Sequence, residues 1–155
     1  MISVVLIEDI RDIRIPLAEY LSEQLELRLI VSSESIEDYY AMHSQDNLPD
    51  VILLDIGLPG ISGLVAIEML KKRMPNTEII MLTIHEDADR IFKALQAGAS
   101  GYLIKNAPLA KIKEAIINVV DGGAPMTPAI ARKVIKFFGR KKKIQKKILL
   151  QKKNN

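Results

Sequence analysis

The 155-residue chain contains no cysteine. That excludes a disulfide scaffold, thiolate-bound metals and a cysteine nucleophile, and it fits a cytosolic protein. No apolar run approaches the roughly 18 residues of a membrane span. The N-terminus lacks a basic stretch and reaches Glu8 and Asp9 too early for a signal peptide. Repeats and low-complexity segments are absent ahead of the tail. Acid is missing from the C-terminus: residues 132–155 hold 11 Lys and Arg and no Asp or Glu. Residues 1–131 hold 11 basic against 19 acidic residues. The net charge of +3 therefore conceals an acidic body at −8 and a basic tail at +11.

What is present is apolar enough, at 48%, to be globular, and the length suits one domain with an appendage. The organising stretch is residues 50–60, Asp-Val-Ile-Leu-Leu-Asp-Ile-Gly-Leu-Pro-Gly. Residues 51–54 form an uncharged run bounded by turn residues, which predicts a fully buried strand of a parallel sheet. The run ends in Asp55, ahead of a turn rich in glycine and proline. An ionised carboxylate beside a buried strand is costly unless something pairs with it.

The remaining chain alternates. Strands are expected over residues 2–7, 27–31, 51–54, 78–82 and 101–104. Helices are expected over residues 11–25, 35–43, 62–74, 87–96 and 109–120. Pro16 should delay or kink the first helix, and Ser33 or Ser35 should cap the second. Five βα units with short connections imply a parallel sheet covered on both faces. Right-handed crossovers leave the doubly wound, flavodoxin- or CheY-like order 2-1-3-4-5 as the natural one.

In that order one sheet edge collects Glu8 and Asp9 from strand 1, Asp55 from strand 3, Thr83 from strand 4 and Lys105 from strand 5. Three close carboxylates repel one another unless a cation intervenes. Mg²⁺ takes a few carboxylate oxygens, a carbonyl and several waters. Lys105 adds positive charge and Thr83 a hydroxyl. This is the pattern of a cation-assisted anion site around a nucleophilic carboxylate. Helix capping is the plainer role open to Glu8 and Asp9. Gly57 and Gly60 read as turn glycines, and His43 and His85 as surface residues.

With Glu8-Asp9, Asp55 followed by Gly-Leu-Pro-Gly, Thr83 and Lys105 in this order, the chain resembles the receiver domain of two-component response regulators over about residues 1–120. Residues 81–87 and 97–105 are similar to the LuxR/NarL-type subfamily. The resemblance implies that Asp55 is the phosphoacceptor of a sensor histidine kinase. It implies that Glu8, Asp9, Asp55 and the Gly57 carbonyl hold Mg²⁺, and that Thr83, Lys105 and Tyr102 bind the phosphoryl group and carry the switch. Tyr102 reads equally as a packed aromatic. A regulatory phosphoacceptor rather than an enzyme, acting in transcription regulation by dimerisation or partner docking, is the function expected. The alternatives are a non-phosphorylated pseudo-receiver scaffold, a flavin- or nucleotide-binding module, and a DNA-binding protein. No glycine-rich loop follows strand 1 to cradle a phosphate. The sequence departs from the family at Ile84, where a small residue is usual, and at Asn106, where proline is. The subfamily's helix-turn-helix domain is not found in this sequence.

The receiver is expected over residues 1–121, with a linker, short helix and basic tail over 122–155. Thr127-Pro128 predicts a capped helix start, Ile130, Val134, Phe137 and Phe138 one apolar face, and Gly139 a stop. Residues 140–155 read as a solvated, frayed extension, a weak non-specific DNA contact, or a basic amphipathic surface helix. A frayed tail has no folded element to present to base edges.

Overall fold

A computed structural model describes residues 1–42, 47–55, 57 and 63–154. Five parallel strands pair in the order β2-β1-β3-β4-β5. They are β1 (Ile2–Ile7), β2 (Leu27–Ser33), β3 (Val51–Leu54), β4 (Glu78–Thr83) and β5 (Gly101–Ile104). The helices are α1 (Arg11–Glu23), α2 (Ile36–Met42), α3 (Gly63–Arg73), α4 (Ala88–Ala97), α5 (Leu109–Val120) and α6 (Pro128–Lys153). This is the doubly wound CheY-like architecture with one further helix at the C-terminus.

The sheet sorts its side chains by parity, as the pleat requires. Val5, Ile7, Ile52, Leu54, Ile79, Met81 and Tyr102 face a core closed by α2, α3 and α4. Val4, Leu6, Val51, Leu53, Ile80 and Leu82 face the opposite core, closed by α1 and α5. All four residues of β3 are buried. Both faces are therefore covered, and the apolar run between Asp50 and Asp55 has nowhere else to be.

Several local expectations need correction. Pro16 neither delays nor interrupts α1, which is helical from Arg11. The cap of α2 agrees with expectation, Ser35 being the one of the two candidate serines whose hydroxyl accepts from the Asp38 N–H, at 3.1 Å. His43, Gly60 and Ser62 lie outside the described residues. Gly139 does not stop the last helix, and residues 140–153 are not frayed: α6 runs unbroken for 26 residues. Glycine ends a helix most effectively in a left-handed conformation. Gly98 has φ +120° and closes α4 that way, whereas Gly139 has no such angle. Without one, Gly139 costs only about 1 kcal/mol relative to alanine, and the lysine-rich sequence beyond it propagates a helix well.

The segment before α6 is built into the sheet. The Tyr102 N–H donates to the Pro125 carbonyl at 2.9 Å, and the Thr127 N–H to the Tyr102 carbonyl at 3.2 Å. Thr127 stands at the N-cap position, but its hydroxyl does not cap α6; it accepts from the Ile104 N–H at 3.1 Å. The edge of β5 is thus covered rather than open to another strand. Gly101 permits the approach, since a Cβ there would stand 2.7 Å from the Pro125 carbonyl oxygen.

Candidate functional site

Strand register assembles the site. Ile7 lies opposite Leu54, and Leu54 opposite Met81. One step further along each strand, Glu8 and Asp55 emerge at the same level. Thr83 pairs with Ile104 at the end of β4, so Lys105 leaves β5 beside it. Oxygens of Glu8, Asp9 and Asp55 lie within 4.8 Å of one another.

Lys105 joins two of these acids. Its Nζ lies 2.8 Å from Asp55 Oδ2 and 2.5 Å from Glu8 Oε1. Burial lowers the affinity of its amine for a proton, but the hydrogen bonds and charges of Asp55 and Glu8 outweigh that and hold its pKa above the usual lysine value. Glu8 is 1% exposed. Burial pushes its pKa up to about 7; the Lys105 hydrogen bond opposes this and the Asp55 charge adds to it. Glu8 Oε2 has no hydrogen-bond partner among the described residues, and Oε1 meets only the Lys105 ammonium. Buried carboxylate oxygens left in this state, clustered with two further carboxylates, form a hard, all-oxygen donor set that fits a divalent cation such as Mg²⁺.

Asp55 Oδ1 accepts from the Gly57 N–H at 3.1 Å, which places the Gly57 backbone against the carboxylate. Thr83 is buried, and its hydroxyl accepts from the His85 N–H at 3.2 Å. Tyr102 is fully buried, packed in the core rather than half-exposed, and its hydroxyl donates to the His85 carbonyl at 2.8 Å. Burial pushes the Tyr102 phenol up to about 12, so it stays a donor. Thr83 and Tyr102 thus hold the two sides of one peptide segment, at His85.

Sequence reasoning missed two residues. His85 was expected on the surface, yet it is partly buried, and a Cβ on Gly57 would lie 3.6 Å from its Nε2 and 3.8 Å from Asp55 Oδ1. It therefore stands at the mouth of the acidic pocket. Its place two residues beyond a strand-ending threonine was the available signal. Arg14 is buried in the first turns of α1, and its Nη1 donates to the Glu8 and Asp9 carbonyls at 3.0 and 3.3 Å. Its Nη2 pairs with Glu34 at 3.2 Å. The guanidinium fork fixes the backbone from which both acids project. Ile84 is exposed.

A family model described as the response regulator receiver domain matches residues 4–117. The chain belongs to the response regulator receiver family of two-component systems. It is 32% identical over 139 residues to the transcriptional regulatory protein DegU of Brevibacillus brevis, covering 90% of this chain and 58% of that protein. The chain therefore spans little more than half of that curated relative. Among solved structures, a LuxR-family two-component response regulator from Aurantimonas has the same fold. Its TM-score is 0.78 at 24% identity, covering 86% of this chain and 95% of that one. The signal receiver domain of the putative regulator NarL from Mycobacterium tuberculosis aligns with TM-score 0.69 at 25% identity, covering 78% and 97%.

Proposed function

We propose that the chain is a phosphoryl-accepting switch of a cytoplasmic two-component system, with Asp55 as acceptor and a sensor histidine kinase as donor. The observation that carries this reading is the junction of Asp55, Lys105 and the Glu8–Asp9 pair at the carboxyl end of the sheet. An Asp55 carboxylate oxygen attacks phosphorus, the P–N bond of a phosphohistidine breaks, and the leaving imidazole nitrogen takes up a proton. Lys105 is placed to follow the phosphoryl oxygens and offset their charge. The Thr83 hydroxyl, whose oxygen accepts from His85, keeps its proton for donation to the same group. Glu8, Asp9, Asp55 and the Gly57 carbonyl would hold Mg²⁺. The cation supplies charge neutralisation of the transferring phosphoryl group. Tyr102 and Thr83 act together through His85 as the moving part, and the output is dimerisation or partner docking. Residues 1–121 serve as the receiver and 122–155 as its appended helix.

Intact mass after incubation with acetyl phosphate and Mg²⁺ tests the reading. The expected result is one added phosphoryl group on the parent chain and none on Asp55→Asn. An unmodified parent, or a modified Asp55→Asn, would overturn the assignment.

A further inference from the structure

Every residue of 138–154 is exposed, within a helix that begins firmly seated on the receiver. Ile130 is completely buried and Phe137 stacks on Phe92 of α4 with centroids 4.0 Å apart. From Arg140 to Lys153 the same helix carries eight Lys and Arg and no acid. At 1.5 Å per residue these lie along about 21 Å, or about one charge per 2.6 Å. Duplex nucleic acid carries about one negative charge per 1.7 Å of axis. The two densities match within a factor of two.

The distribution of these charges points the same way. At about 100° per residue, Lys141, Lys142, Lys143, Lys146 and Lys147 point to different sides of the helix. Ile144 and Ile148 share one side, while Leu149 and Leu150 lie elsewhere. A helix that settles on a lipid surface needs an apolar face segregated from its cations, and this one lacks it. A rod cationic all round suits a polyanion that surrounds it. An α-helix with side chains is about 10–12 Å across, and the major groove is about 12 Å wide. Lys142 and Lys146, and Lys143 and Lys147, are like charges at i,i+4, which destabilise the free helix. A polyanion would relieve that repulsion.

We propose that residues 140–153 of α6 form a duplex-nucleic-acid binding element that engages phosphates without reading sequence. The element is a preformed helix, so little ordering cost attends binding. It is independent of the phosphoacceptor assignment. The acidic body is repelled from the duplex and leaves the projecting half of α6 as the face of approach.

The test uses the full chain and two labelled duplexes of equal length and unrelated sequence, followed by anisotropy. Five to eight neutralised phosphates predict a log–log salt slope of roughly −4.5 to −7, and a loss of about 10³- to 10⁴-fold between 50 and 200 mM salt. The two duplexes should bind within about threefold of each other, and far-UV circular dichroism should change little on binding, since the helix is already formed. A chain carrying Lys142→Glu, Lys143→Glu, Lys146→Glu and Lys147→Glu should keep its melting temperature and lose binding. The proposal is overturned by absent binding at low salt, a slope shallower than about −2, unchanged binding by the charge-reversed chain, or a strong preference for one duplex. Tighter binding to anionic phosphatidylserine vesicles, lost with Ile144→Ser and Ile148→Ser, would overturn it in favour of a membrane surface.

Discussion

Glu8 is the residue on which the pocket's electrostatics turn. Its pKa is raised to about 7 by burial, from the ordinary glutamate value of 4.5. Between these values the folded chain binds more protons at this site than the unfolded chain. Its contribution to stability is therefore fully present below about pH 4.5 and is lost as pH rises through about 7. In cation-free buffer, the parent should lose on the order of 3 kcal/mol relative to Glu8→Gln across that window. Denaturant melts of both chains at several pH values measure it, and parallel pH profiles would show that Glu8 is not the titrating group. The acids, Thr83 and Lys105 were legible in the sequence because short apolar strands ending in turns reveal which residues stand at their ends. Arg14 and His85 were not. Arg14 contributes by reaching two carbonyls five and six residues back, and His85 by lying over a turn from another strand. Neither relation leaves a periodicity to read.

At the scale of elements, the β4–α4 connection is tied from three directions. Thr83 takes the His85 N–H, Tyr102 binds the His85 carbonyl, and Lys133 of α6 donates to the Glu86 carbonyl at 2.6 Å. Phe137, Phe138 and Lys141 continue the contact along Phe92 of α4. If Thr83 turns toward a phosphoryl group on Asp55, His85 loses its acceptor and the strain passes to Tyr102 and α6. Binding of beryllofluoride should therefore change amide exchange over residues 83–97 and at Tyr102, with the His85 amide exchanging faster. Lys133→Met should enlarge the change in α4 by freeing Glu86. Unaltered protection with the mimic bound would refute the coupling. The periodicity of Ile130, Val134 and Phe137 was legible as an apolar face. Its partner was not, because nothing local to residues 128–138 names α4 as the surface it covers. Gly139 misled for a related reason: a glycine permits a helix stop, but only its backbone angle makes one.

Across the whole molecule, composition divides the chain at about residue 131, while packing divides it later. Charge changes sign there, yet residues 125–138 close the β5 edge and bury Ile130 against the sheet. The two criteria predict different truncation behaviour. Removing residues 140–155 takes away exposed helix together with the Lys141 contact on Phe92, and strips eight positive charges from a chain of net +3. Such a chain should keep its melting temperature within a few degrees, and acetyl phosphate should still modify Asp55. Removing everything beyond residue 121 reopens the Tyr102 backbone to water, empties the Ile130 site and uncovers Phe92. Burial of Ile130 alone is worth about 1.5–3 kcal/mol, and the Phe92–Phe137 stack adds about 0.5–1.5 kcal/mol. The shorter chain should therefore be less stable by about 2–4 kcal/mol in denaturant melts. It should also associate through the uncovered β5 edge at high concentration, visible as a concentration-dependent mass in light scattering. Equal stability of the two truncations would place the physical boundary of the receiver at residue 121, with α6 as a passenger. A large gap between them makes the first turns of α6 part of the receiver fold and the basic half alone an appendage.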